Sequence, residues 1–172
     1  FSLIGGERLH ARSGIEDLAL YKMDDPETPI TLDDVRASVG AVRALSIDEF
    51  VNAAAATGQL EGAMRLYRTM LAESVPPQTL LRYLQNHLRR LRRVKAAVEG
   101  GESVDMAMKS LNPPVFFKWA DTFKEQVRSW SLPQLHQALD GLRDIEVRSK
   151  QTGTPTEALT GDFILRLSQK SL

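Results

Sequence analysis

Cysteine is absent from all 172 residues. That removes disulfides, thiolate zinc sites and thiol nucleophiles together, and it agrees with a reducing, cytoplasmic setting. Net charge is absent as well: 22 Lys and Arg balance 22 Asp and Glu, so the chain as a whole exerts no electrostatic pull on nucleic acid. No run of 18 apolar residues occurs, and no membrane-spanning helix is expected. The Gly-Gly pairs at 5–6 and 100–101 belong to neither GxxxxGK[ST] nor GxGxxG, so no phosphate-cradling loop is expected. Strand patterning is missing too. The opening Phe1-Ser2-Leu3-Ile4 is cut off by Gly5-Gly6 and is too short to stand without a neighbour. Beginning on FSLIGGERL, with neither a start Met nor a basic leader, the chain reads as part of a longer one.

Catalytic groupings are equally scarce. His10, His87 and His136 lie far apart without ligand spacing, and His136 with Asp140 at i,i+4 reads as a helix-surface contact. The carboxylate pairs Asp24/Asp25 and Asp33/Asp34 fall in loops or first turns, where capping accounts for them. No catalytic residue, metal or cofactor is expected.

Helical periodicity is what the sequence does contain. Ser13 with Glu16 makes a capping box ahead of Ile15, Leu18, Ala19 and Met23, and that helix should stop near the DDPETP run at 24–29. Thr31 is the next N-cap, with Leu32, Val35 and Val39 as an apolar face and Gly40 as a stop. Residues 1–45 carry five basic and eight acidic side chains, the remainder 17 and 14. That change of sign coincides with a GAVRAL connector and places a boundary near residue 44. Ser46 and Glu49 form a second capping box before Phe50, Val51 and four alanines. Gly58 and the stripe Leu60, Ala63, Met64, Tyr67 and Leu71 then complete an αα-hairpin.

Pro76-Pro77 breaks the chain and seeds the longest periodic run, Gln78 to Glu99, with Leu81, Leu84, Leu88, Leu91, Val94 and Val98 on one face. Arg82, Arg89 and Arg93 line up opposite that stripe, with Arg90 and Arg92 beside them and Lys95 nearer the apolar side. No acidic residue interrupts the set, so it reads either as a solvated helix side or as a track for phosphates or an acidic partner.

Ser103 caps a short helix at 104–110, ended by Asn112 and the pair Pro113-Pro114. Val115, Phe116, Trp119, Phe123, Val127 and Trp130 then sit at helical spacing, which makes the aromatics mainly core, with Trp130 the one placed to reach an interface. Ser131, Pro133 and Gln134 open a helix carrying Leu135, Ala138, Leu139, Leu142, Ile145 and Val147, and Gly153 ends it. Thr154-Pro155-x-Glu157 opens the last helix, with Ala158, Leu159, Phe163, Ile164 and Leu167. The expected fold is all-α: two or three short helices, then a bundle of five or six from about residue 45.

HLRRLRRVKAAVEGG (87–101), PPVFFK (113–118), RSWS (128–131) and the K-x-TG-x-P from Lys150 to Pro155 occur in an order and spacing that resemble the C-terminal part of the delta subunit of bacterial DNA polymerase III, a clamp-loader component. ERLHARSGIEDLALY and PITLDDVRASVG resemble the end of the helical lid domain of the same family. The resemblance implies that 1–44 is the end of an AAA+-like lid and 45–172 a helical collar domain. It also implies a non-catalytic scaffold in DNA replication, joined through the collar to the ATPase subunits and delta-prime. The sliding clamp would be reached only through an N-terminal domain outside these residues, and DNA only in the full complex. A full-length subunit would share the polymerase's enzyme name through the holoenzyme. On this reading Pro113, Pro114, Phe116, Phe117, Trp119 and Trp130 fix collar packing or a subunit contact. Arg82, Arg89, Arg90, Arg92, Arg93 and Lys95 form the basic surface, and a helical DNA-binding module using them is the alternative.

Overall fold

The computed structural model describes Ile15, Ala19, Met23 and residues 29–169, with the backbone alone at residue 33 and at residues 35–43. The expectations for residues 1–10, the Ser13–Glu16 capping box and the stop at 24–28 lie outside the described residues, although Ile15, Ala19 and Met23 themselves are exposed. From residue 29 to 169 the chain forms seven α-helices: α1 (Leu32–Ala55), α2 (Leu60–Ala72), α3 (Pro77–Glu99), α4 (Val104–Lys109), α5 (Ala120–Ser129), α6 (Leu132–Ser149) and α7 (Thr156–Gln169). A 3-10 turn, Phe117–Trp119, precedes α5, and no strand occurs among the described residues. The chain divides into two compact units, Phe1–Ser46 and Ile47–Leu172.

Within the first unit, Thr31 caps α1 as expected. Its Oγ1 accepts from the Asp34 N–H at 3.2 Å, and Asp34 Oδ2 accepts from the Thr31 N–H at 2.8 Å. Leu32, expected on an apolar face, is exposed. The helix does not stop at Gly40, and Ser46 does not open a new one, because the backbone stays helical through both to Ala55. A glycine costs a helix interior only about 1 kcal/mol, and with no proline between residues 32 and 55 every N–H remains able to join the ladder.

In the second unit, α3 is the central element. Leu80, Leu81, Leu84, Leu88, Leu91 and Val94 are all buried along it, and α4, α5, α6 and α7 pack against it. Pro77 stands in its first turn, where the missing N–H has no partner to lose. α6 contributes Leu135, Ala138, Leu142 and Ile145 to the core, and α7 contributes Phe163, Ile164 and Leu167. At about 1.5–3 kcal/mol for each large apolar side chain taken out of water, these three stripes supply the main drive for the bundle. Val147, expected in the α6 face, points outward instead. It lies two residues beyond Ile145, some 200° around the helix from that buried position.

The alanine-rich end of α1 and its successor α2 form the predicted hairpin, turned at Gly58 with φ +79°. Phe50 stacks on Tyr67 with ring centroids 6.3 Å apart. The Tyr67 hydroxyl donates to the Glu157 carbonyl in α7 at 2.8 Å, and burial pushes its pKa up to about 12. α6 opens with the capping box that Ser131 and Gln134 predict: Ser131 Oγ accepts from the Gln134 N–H at 3.3 Å, and Gln134 Oε1 accepts from the Ser131 N–H at 3.0 Å. The start of α7 departs from prediction. The Thr156 N–H donates to the Thr154 carbonyl at 2.8 Å, so helix begins one residue after Pro155 rather than on it.

Candidate interaction surfaces

The loop from Ser110 to Phe116 leaves α4 through a cis Asn112–Pro113 peptide and runs to the 3-10 turn before α5. Pro113 and Pro114 are exposed. Phe116 holds an extended conformation, φ −59° and ψ 132°, so it lies outside the helix in which its spacing placed it. Consequently Phe116 is not a core residue: it is 44% exposed and Phe117 82% exposed, with ring centroids 4.5 Å apart. Two polar contacts brace this aromatic knuckle. The Arg90 Nη2 donates to the Pro113 carbonyl at 3.1 Å, and the Lys124 ammonium meets Asp105 at 2.7 Å, tying α5 to α4. That hydrogen bond, with the lysine's charge, holds the Asp105 carboxyl below its ordinary range.

The remaining aromatics point the other way. Phe123 is core, and so is Trp130, at 1% exposure, which removes it from any surface contact. Its Nε1–H donates to the Ala55 carbonyl at 2.9 Å. Gln126, one turn earlier, donates from Nε2 to the Asn52 carbonyl at 2.9 Å. Both acceptors belong to the last four carbonyls of α1, which have no partner inside their own helix. Trp119 is part-buried, with Lys118 Nζ 4.9 Å from the centre of its ring.

Gln126 also joins His87 to this arrangement. His87 Nε2 lies 2.8 Å from Gln126 Oε1. Because the Gln126 amide nitrogen already donates to Asn52, its oxygen accepts here, and Nε2 of the imidazole carries the proton. Phe123 meets the same ring edge-on, centroids 5.7 Å apart. Burial pushes the His87 pKa down to about 4; the Gln126 hydrogen bond opposes that shift and the nearby Arg90 charge adds to it. A neutral histidine buried between an amide and an aromatic ring is a structural element. Its position was readable in the sequence, since it stands three residues after Leu84 and four before Leu91 on the apolar stripe. His136 and Asp140, by contrast, are both exposed on α6.

The six basic positions of α3 separate into two groups. Arg82, Arg89, Arg92 and Arg93 are exposed, and none pairs with a carboxylate among the described residues. Arg90 turns inward. It braces the proline loop, its guanidinium carbon stands 6.0 Å from the centre of the Phe123 ring, and burial lowers its pKa against the pull of Asp48. Lys95 is largely covered and lies 3.9 Å from Glu99. The continuous basic face is therefore four arginines. Beside Arg82 and Arg89, a groove of about 610 Å³ runs between α3 and α6, with Glu146 and Lys150 paired on its far wall at 3.2 Å.

No helix among the described residues is long and apolar enough to cross a membrane. Among solved structures, the Bacillus subtilis DNA clamp loader delta protein (YqeN) superposes with a TM-score of 0.59 at 19% sequence identity, over 91% of this chain and 45% of that one. At that identity the likeness is one of fold, and this chain spans less than half the length of that relative. No curated protein sequence matches. The model of the family described as DNA polymerase III delta subunit, C-terminal domain, matches residues 48–167, from the last turns of α1 to α7. The chain belongs to that family.

Proposed function

We propose that this chain is the non-catalytic scaffold part of a clamp-loader delta subunit, holding the clamp-opening module in the loader through collar assembly with the ATPase subunits and delta-prime. Residues 1–44 are the end of the lid domain and 45–172 the collar domain on this reading. Beyond family membership, the observation that carries the reading is the Phe116–Phe117 knuckle. Two adjacent aromatics stand in water on a braced loop, and a large exposed apolar feature of this kind favours burial against a partner. Reconstitution with the ATPase subunits and delta-prime, followed by light scattering on a sizing column, is the test. The Phe116→Ala/Phe117→Ala chain should keep its melting temperature and lose co-elution. Unchanged co-elution removes the knuckle from the interface, and failure of the unaltered chain to associate removes the reading itself.

A second reading rests on the four arginines of α3 that pair with no carboxylate among the described residues, which fit nucleic-acid phosphates. If they contact DNA, log affinity for a labelled duplex falls with log salt with a slope of about 0.9 per phosphate neutralised. Reversing Arg89, Arg92 and Arg93 to Glu should then flatten that slope by roughly three such contacts. Binding that is equally salt-dependent after the reversal leaves these side chains as a solvated helix face.

A further inference from the structure

Where α1 ends, α2 begins and α5 passes beside them, the surface folds into a cleft of about 500 Å³. It contains neither the aromatic knuckle nor the basic face. Ala53, Ala56 and Gly62 line part of it and, having little or no side chain, leave room for another backbone to come close. Gln59, Thr122 and Ser129 add neutral amide and hydroxyl groups. Charge is balanced to within one unit, with Glu49 and Glu125 against Arg65, which argues against a phosphate or carboxylate ligand.

Two polar atoms of cleft-lining residues have no hydrogen-bond partner although both are buried. One is an acceptor, Asn52 Oδ1, on a side chain only 5% exposed; the other is a donor, Trp119 Nε1. The Asn52 amide is held in this orientation because its Nδ2 donates to the Asp48 carbonyl at 2.8 Å. Folded proteins rarely leave buried donors and acceptors unmade, and each such group calls for an explanation. One acceptor and one donor on residues of a single neutral cleft match the N–H and C=O groups of a peptide backbone. The volume is that of sites that take ligands of a few hundred daltons, ~300–1,000 Å³, enough for a short stretch of chain.

We propose that this cleft binds a short peptide segment, whose backbone N–H donates to Asn52 Oδ1 and whose backbone carbonyl accepts from Trp119 Nε1. Both atoms are covered, so side chains lining the cleft shift to admit the ligand. Neither atom has a hydrogen bond to lose when they do. The proposal does not rest on clamp-loader assembly.

The chain's two tryptophans make the test direct. Trp119 reports on the cleft, whereas Trp130, already bonded to Ala55, is an internal control. A nitrogen-15-labelled sample of the 172-residue chain is titrated to millimolar concentrations with a pool of capped tripeptides, N-acetyl-Ala-Xaa-Ala amide, with every residue type at Xaa. The Trp119 indole N–H signal should move downfield and saturate while that of Trp130 stays in place. Asn52→Ala removes the unpartnered oxygen at little risk to the fold, and should weaken binding roughly tenfold, the equivalent of one hydrogen bond. Gly62→Leu, which fills the cleft from α2, should abolish binding while the Trp130 signal stays native. No saturable movement with any peptide, or equal movement in Asn52→Ala, overturns the proposal and leaves hydration of the two atoms as their only fate.

Discussion

Acidification should destabilise this fold through His87, and removing the histidine should abolish that part of the response. The imidazole is neutral in the folded state because burial lowers its pKa to about 4, from an ordinary value of 6.5. Between those two values the unfolded chain binds the proton and the folded chain does not, so stability rises with pH across that window. The contribution is fully present above about pH 6.5 and is lost as pH falls to about 4. At 1.36 kcal/mol per pKa unit, the loss is on the order of 3 kcal/mol. Asp48 works in the opposite sense: burial raises its carboxyl pKa, against the pull of Arg90, and a carboxylate that holds its proton more tightly when folded adds stability as pH falls.

His87→Leu separates the two effects. At pH 7 the variant should be less stable by about 1–3 kcal/mol, because Gln126 Oε1 loses its donor inside the core. Urea melts at intervals down to pH 4 should show this gap closing and then reversing, since only the parent pays for an uncharged histidine as acid is added. Asp48 and the exposed carboxylates act in both proteins and largely cancel in the difference. Two stability curves that run parallel from pH 7 to pH 4 would refute the reasoning.

Two glycines inside helices should respond oppositely to alanine. A Cβ on Gly161 would lie 3.7 Å from Tyr67 and 3.8 Å from Met64, ordinary contact, so Gly161→Ala should raise stability by about 0.5–1 kcal/mol. A Cβ on Gly141 would stand 3.0 Å from the core ring of Phe163, and overpacking of about 1–3 kcal/mol should outweigh the same helical gain. Chemical denaturation of both variants checks the pair, and equal shifts would contradict it. Trp130→Phe should cost about 2–4 kcal/mol in the same assay, from the lost volume and from an Ala55 carbonyl left without its donor.

The parts of this fold legible in the sequence are those fixed by neighbours along the chain. The leucine stripe of α3, the Ser131 cap and the turn at Gly58 need only local spacing and backbone preference. What escaped depends on residues far away. Gly40 is a stop only if something nearby competes for the backbone, and continued helix wins there. Phe116 has helical spacing from Trp119 and Phe123, but the proline loop, anchored by Arg90 from α3, holds it extended. Arg90 has the same kind of neighbours along α3 as the other arginines; only the placement of Pro113 and Phe123 turns it inward. The family resemblance reached the family and the all-α fold, yet the cleft at Asn52 and Trp119 has no local signature, because its walls come from positions about 70 residues apart.

The two side chains that finish α1 have a consequence for the order in which the chain is made. Asn52 and Ala55 leave the ribosome 74 and 75 residues before Gln126 and Trp130, which satisfy their carbonyls. Until those residues emerge, the Asn52 and Ala55 carbonyls have only water to bond. Nascent chains halted before Gln126 should therefore show a frayed α1 end, readily cut by protease after residue 50. Chains released after α7 should be protected there, so the close of the first helix waits for residues of the fifth.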